Sequence, residues 1–550
     1  MLEAHGVRHV FGLCGDTTLP FYDALYRLDH NIEHILTRDE RSAAYMADGY
    51  ARVTKRVGVC EGPSGGGATY ILPGLIEANE SSVPILAITS DVSVGSRGHY
   101  PLTELDQDGL MRPLTKWNAV IPKSDMLPDM VRTAFRKMTT GRPGSAHLGL
   151  PIDVQRDPVD PEQIWANPRH GTYPAYPMGP DPVEVDAALE AILSARFPVI
   201  VCGGGIVLAG GEEEFRRFVE SLDIAVTTTV SGQGCLPESH PNCAGVVGSN
   251  GGVEATRNLL MKADLVVFIG CRAGSVTTER WRVPTKQTRI VHIDSDPEVI
   301  SASYQTEVGL MSDARLALTA LNRQLGLRVE APAGFGGAAA AATAKRMKLA
   351  AFQPLAESLD RPIKPERTIA ALRSVLDDDA IVVADPGTPC PYVSAFFEIR
   401  APGRTVFSNR AHGALGYSMS AAIGACVGRP GKKVVSLMGD GSFGFTCGEL
   451  ETVVRMKLPI TFIVFSNSVF GWIKAGQRAG FGERYFSVDF SRSDHAAIAS
   501  AFGVKSWKVE DPDRLKSVLK EAVEHDGPTL VDIISQPLNE AAAPVSEWIA

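Results

Sequence analysis

The sequence predicts an α/β protein built from three doubly wound parallel-sheet domains, and three observations predict it. Short apolar runs alternate with stretches of helical periodicity along most of the chain. Its 550 residues are too many for one hydrophobic core. Two tracts rich in Pro, Gly or Ala break the alternation into thirds.

The first third, residues 1–156, carries apolar runs at Val10–Gly12, Ile35–Leu36, Val57–Cys60 and Val83–Ile88, with helical patterns over Phe21–Leu28 and 40–53. Residues 157–182, dense in Pro and Gly, read as a linker. A second α/β domain over 183–330 has strands expected at Pro198–Cys202, Ile224–Val230, Leu265–Gly270 and Arg289–Asp294. The tract APAGFGGAAAAATAK opens a second linker, 331–364, ahead of a third domain over 365–540 and a tail over 541–550.

At 44% hydrophobic, 21% charged and a formal charge of -9, without a Lys/Arg run, the chain gives no reason to expect a nucleic-acid or membrane-surface partner. No apolar stretch approaches the roughly 20 residues that span a bilayer, and the opening MLEAHGVRHVFG lacks a signal region, so a cytoplasmic protein is expected. Nine scattered cysteines without a CxxC pair read as reduced and buried, and no His/Cys group has zinc spacing.

Residues 433–472 hold the most chemistry. An apolar run, Val434–Met438, ends in Gly439-Asp440-Gly441-Ser442; a helical pattern follows, then Ile460–Phe465 and Asn467. In such a strand-helix-strand unit both turns open on the same sheet edge, which brings Asp440 and Asn467 together. An Asp and an Asn are hard oxygen ligands suited to magnesium that also takes oxygens from a substrate phosphate. Gly439 and Gly441 let backbone approach a bulky anion, and Ser442 opens a helix whose N–H groups favour phosphate.

Gly439-Asp440-Gly441-Ser442 followed by Ser466-Asn467-Ser468 resembles the motif of thiamine diphosphate-dependent enzymes, in the acetolactate synthase and pyruvate oxidase-like branch. The resemblance implies that Asp440, Asn467 and the Val469 carbonyl hold Mg2+. It also implies a pyrimidine-binding first domain, a diphosphate-binding third domain and a catalytic Glu40, which heads the small-residue stretch Glu40-Arg41-Ser42-Ala43-Ala44. A carboxyl is needed there because the cofactor's aminopyrimidine must remove a weakly acidic thiazolium proton. A buried, protonated carboxyl donating to the pyrimidine nitrogen shifts that ring to its imino tautomer.

By the same likeness Gly387 and Thr388 match a diphosphate-contacting turn. Gly413, Ala414 and Leu415 match the pyrimidine loop, with Leu415 as the wedge that bends the cofactor. Thr103, Trp472, Ile473 and Gly476 fall where the substrate pocket is expected; Thr103 and Gly476 depart from the Gln and Trp usual in acetolactate synthases. Gly203-Gly204-Gly205 lacks a full dinucleotide fingerprint, so the central domain is left open to FAD, a CoA-type nucleotide or nothing.

The expected activity is decarboxylation of a 2-oxo acid with transfer to a second carbonyl compound. Alternatives on the same cofactor are a C–C lyase or hydrolase, an acyl-CoA decarboxylase or lyase, and a flavin-linked oxidase; outside enzymes, a silent binding protein. Relatives place the first domain of one chain against the third of another, which implies self-association, with a homotetramer expected.

Overall fold

The computed structural model describes residues 1–328 and 334–548. It contains three six-stranded sheets, each flanked by helices. The first is formed by β1 (His9–Gly12), β2 (Glu33–Leu36), β3 (Gly58–Gly62), β4 (Ile85–Asp91), β5 (Trp117–Val120) and β6 (Ala146–Pro151), in the order β2-β1-β3-β4-β6-β5. All its pairs are parallel. β3 and β4 are almost wholly buried, and their apolar stretches, Val59–Cys60 and Ile85–Ile88, are the parts visible in sequence.

The second sheet comprises β7 (Pro198–Cys202), β8 (Ala225–Thr228), β9 (Cys243–Val246), β10 (Leu265–Ile269), β11 (Arg289–Asp294) and β12 (Val308–Met311), ordered β12-β11-β10-β7-β8-β9. Counted from its own first strand this is the dinucleotide-fold order 3-2-1-4-5-6. The third sheet has β13 (Ile381–Ala384), β14 (Val406–Ser408), β15 (Val434–Gly439), β16 (Ile460–Ser466), β17 (Lys505–Val509) and β18 (Thr529–Ile534), ordered β14-β13-β15-β16-β18-β17. Renumbered from β13 that is 2-1-3-4-6-5, the order of the first sheet. The first and third sheets therefore share one topology, and the middle one has another.

The chain forms two compact units: residues 1–176 with 409–434 and 444–460, and residues 177–408 with 435–443 and 461–550. In the first, the helices Glu40–Thr54 and Tyr417–Gly428 pack closely enough that a Cβ on Gly49 would lie 2.2 Å from the Ala421 carbonyl oxygen, and one on Gly424 1.9 Å from that of Met46. Glycine is required at both crossings.

Parts of the two segments read as linkers, and of the tail, are packed structure. Within 331–364, residues 337–356 form a 20-residue helix whose Ala341 and Ala344 join the apolar layer of the second sheet. Alanine is the strongest helix former, so the tract's simple composition encodes a helix; residues 331–333 lie outside the described residues. In 157–182, Tyr173 is buried and donates its hydroxyl to the Ala51 carbonyl (2.8 Å), so that segment is not all surface. Within the tail, Ala541, Ala543 and Trp548 pack on the core of the third sheet; 549 and 550 lie outside the described residues.

Candidate active site

Parallel sheets bind ligands beyond the carboxyl ends of their strands, where the strand order reverses. In the third sheet that point lies between β13 and β15. The turn after β13 holds Gly387, at φ +89 with open space around it, and buried Thr388. β15 ends at Gly439; Asp440, Gly441 and Ser442 open the helix Asp440–Thr446 that follows it without a break, and β16 leads directly into Asn467.

Asp440 is only 6% exposed, and its carboxylate gathers backbone donors. Oδ2 accepts from the N–H groups of Asn467 (2.8 Å) and Ser468 (2.6 Å), and Oδ1 from Gly441 (2.8 Å). The sequence spacing thus becomes a direct tie between the two turns. Burial pushes the Asp440 carboxyl above its usual range, against the pull of these N–H groups. Asn467 Oδ1 is buried with no hydrogen-bond partner among the described residues. Such an orphan acceptor beside a carboxylate that still has lone-pair capacity fits a small hard cation. Ser468 takes φ +59 and Val469 is buried, its carbonyl accepting from Gly471 N–H at 2.9 Å. Around Gly439 a Cβ would meet nothing within 4 Å. Gly387, Thr388, Gly439, Asp440 and Asn467 thus all lie at or just beyond the carboxyl ends of β13, β15 and β16.

Behind them stands a buried network that sequence reasoning missed. Ser466 Oγ donates to Asp532 and lies 2.8 Å from His495 Nδ1, while the His495 N–H donates to Asp532 Oδ2 at 3.2 Å. Phe443 meets the His495 ring edge-on at 5.1 Å. Ser466 immediately precedes Asn467, so this network fixes the end of β16.

Glu40 lies in the first unit, at the start of the Glu40–Thr54 helix capped by Asp39. It too is 6% exposed, and burial raises its carboxyl above the usual range, while its own backbone N–H lowers it and the Asp39 and Glu61 charges add to the rise. Its side chain lies against a glycine floor: a Cβ on Gly62 would sit 3.1 Å from Glu40 Cγ, and one on Gly67 3.0 Å from Oε1. The turn ahead of it is held by Glu449, which accepts the Arg38 N–H at 2.9 Å and is itself buried. Glu61, also buried, receives the Tyr22 hydroxyl at 2.5 Å and lies 3.1 Å from His34 Nε2. Nothing in the local sequence pointed to Glu449 or Glu61, because each partner is set by tertiary approach.

The loop after β14 is braced internally by Asn409 Nδ2, which donates to the Ala414 carbonyl at 2.7 Å. Gly413 is exposed, Ala414 and Leu415 half-buried. Thr103 adopts φ +70, and its hydroxyl lies 2.7 Å from Ser64 Oγ. In the second unit Ile473 is 55% exposed, whereas Trp472 packs edge-on against Trp548 at 5.2 Å on the core of the third sheet. Gly476 is buried, and a Cβ there would come within 3.2 Å of the Trp548 carbonyl oxygen.

The central glycine turn is different. A Cβ on Gly203 would lie 2.0 Å from the Gly270 carbonyl oxygen, and one on Gly205 2.6 Å from Gly270 Cα. These glycines are accounted for by backbone packing on backbone and leave no open cradle for a flavin at Gly203 and Gly205.

Three family descriptions match the chain: the thiamine pyrophosphate enzyme N-terminal TPP binding domain over 1–110, the central domain over 185–321 and the C-terminal TPP binding domain over 385–533. The chain is 35% identical over 546 residues to a probable acetolactate synthase large subunit of Methanocaldococcus jannaschii, covering 98% of this chain and 90% of that protein. It is 29% identical over 534 residues to the acetolactate synthase isozyme 2 large subunit of Escherichia coli K12 (97% and 93% covered). To the acetolactate synthase of Mycobacterium bovis it is 29% identical over 560 residues (97% and 86% covered).

Proposed function

The chain belongs to the thiamine pyrophosphate enzyme family, and from that premise we propose that it decarboxylates a 2-oxo acid and joins the remaining acyl unit to a second carbonyl compound, as an acetolactate synthase-like carboligase. The observation that carries this reading is the likeness, over 98% of the chain, to a probable acetolactate synthase large subunit.

Thiamine diphosphate, when bound, supplies the carbon nucleophile and holds the charge left as carbon dioxide departs. The residues of this chain do the rest. Asp440, the orphaned Asn467 Oδ1 and the Val469 carbonyl would hold Mg2+, with the cofactor's diphosphate completing an oxygen set. Gly387, Thr388, Gly439, Gly441 and Ser442 would receive the diphosphate, and Gly413, Ala414 and Leu415 the pyrimidine. Glu40, whose carboxyl burial raises above its usual range, would donate to the pyrimidine nitrogen and so hold the proton that sets the ring's tautomer.

Thr103 and Ile473 would border the substrate, while Trp472 serves the core. Gly476 stands where acetolactate synthases usually carry a tryptophan, and a Cβ there would press on the Trp548 carbonyl oxygen at 3.2 Å. The reading includes self-association into a homotetramer, checked by light scattering. No described helix is long and apolar enough to cross a membrane.

The direct test supplies pyruvate, thiamine diphosphate and Mg2+ and follows carbon dioxide and product identity. Acetolactate formed in step with carbon dioxide is the expected result. Cofactor binding without any pyruvate turnover would overturn the proposed substrate, and carbon dioxide with only acetaldehyde would overturn carboligation.

A further inference from the structure

Glu77 is an acidic residue that the reaction as described does not use. It lies on the helix Leu72–Glu80 and is 0% exposed. A carboxylate so placed must be fully partnered to be tolerated. Its partners are the backbone of a loop more than 330 residues away: Oε1 accepts the Arg410 N–H (3.1 Å), and Oε2 those of Ala411 (3.1 Å) and His412 (2.7 Å). Ser81 Oγ donates to Oε1 at 2.6 Å, and Arg52 Nη2 lies 3.2 Å from the same oxygen.

Arg52 joins this carboxylate to the far end of the loop. Its Nε donates to Asp48 Oδ2 at 2.7 Å, and the same oxygen accepts the Tyr417 hydroxyl at 2.5 Å. Tyr417 opens the helix that ends the loop. Entry and exit of the segment Arg410–Gly416 are therefore anchored to one buried ionic cluster. Meanwhile Ala411, His412 and Gly413 are exposed, so none of the three holds the loop by burying a side chain.

We propose that Glu77 is the positioning residue for this loop: by gathering three consecutive backbone N–H groups it fixes Gly413, Ala414 and Leu415 at the pyrimidine end of thiamine diphosphate. The inference rests on the function proposed above. It assigns Glu77 to one end of the cofactor only, because none of its partners belongs to the turns that would receive metal and diphosphate.

That one-sidedness is what the test reads. Glu77→Gln keeps the shape but turns an NH2 toward backbone donors. The wild type and the variant are titrated with thiamine diphosphate and, separately, with inorganic diphosphate, both in the presence of Mg2+. Amide hydrogen exchange is followed over residues 409–416. Losing charge-assisted hydrogen bonds should weaken thiamine diphosphate binding about ten- to a hundredfold. Inorganic diphosphate affinity should stay within about twofold, and exchange should accelerate at 410–412. Should that variant not fold, Ala411→Pro removes one donor from the loop side with the buried cluster whole, and the same selective loss is expected. Equal weakening of both ligands, or unchanged affinity and exchange, overturns the positioning role and leaves the function intact. Failure of the wild type to bind thiamine diphosphate at all removes both.

Discussion

Glu40 and Asp440 are equally buried carboxyls at strand-to-helix turns, each 6% exposed and each raised by burial, yet their surroundings fit them for opposite charge states. Asp440 receives N–H groups from Gly441, Asn467 and Ser468 and has an orphaned amide oxygen beside it. Those donors favour the ion, and a cation would complete the site. Glu40 rests on Gly62 and Gly67 and feels the like charges of Asp39 and Glu61, which favour the neutral acid. Burial alone does not assign a role to a carboxyl; the donors and charges that face it do.

The sharpest way to break the contrast is to neutralise each group in turn. Glu40→Gln removes a transferable proton but no metal ligand, so turnover should fall on the order of 10²- to 10⁴-fold while thiamine diphosphate and Mg2+ affinities stay nearly unchanged. Asp440→Asn should do the reverse, weakening Mg2+-dependent cofactor binding by roughly 100-fold or more, with turnover recovering toward wild type at saturating ligand. Isothermal titration beside steady-state rates separates the two. Unchanged turnover in Glu40→Gln would remove it from the chemistry.

The pH dependence sharpens the same comparison. Because the folded-state value for Glu40 lies above its unfolded one, its neutral form predominates at low pH and is lost as pH rises through the raised value. Turnover limited by that proton should therefore decline on the alkaline side, about tenfold per pH unit beyond the raised value. The stability contribution runs the same way: it is fully present below the unfolded value and lost through the folded one, at ~1.4 kcal/mol for each unit of separation. In Glu40→Gln both limbs should flatten. An alkaline limb that persists belongs to another group.

How much of this was legible in sequence follows from the distance over which each feature is encoded. Asp440 and Asn467 could be brought together by reading because one strand-helix-strand unit contains both, and the unit's geometry is local. Glu40 was reached through the family resemblance, because a glutamate at the head of a helix by itself reads as one favoured there by the helix dipole. Glu77 was not legible, since its donors come from Arg410, Ala411 and His412, more than 330 residues away. Glu449, Glu61 and the Ser466–His495–Asp532 network were hidden for the same reason. The Ala-rich helix at 337–356 was obscured in another way: low complexity suggested a connector where helix propensity and the packing of Ala341 and Ala344 decide otherwise.

The smallest expected effect concerns the glycines. Gly439 ends one buried strand and Gly203 follows another, and sequence cannot tell a glycine that leaves room for a ligand from one that leaves room for backbone. In Gly203→Ala the new methyl would meet the Gly270 carbonyl oxygen at 2.0 Å, so stability should drop by ~1–3 kcal/mol, seen as a lower denaturation midpoint, with cofactor affinity unchanged in the folded fraction. In Gly439→Ala the methyl meets no protein atom within 4 Å, so the midpoint should hold. Thiamine diphosphate affinity should instead weaken by about tenfold, because the methyl occupies the space through which backbone approaches the diphosphate. If Gly439→Ala binds the cofactor as well as the wild type does, the open space beside that turn is not where the diphosphate lies, and the receiving surface shifts toward Gly387 and Thr388.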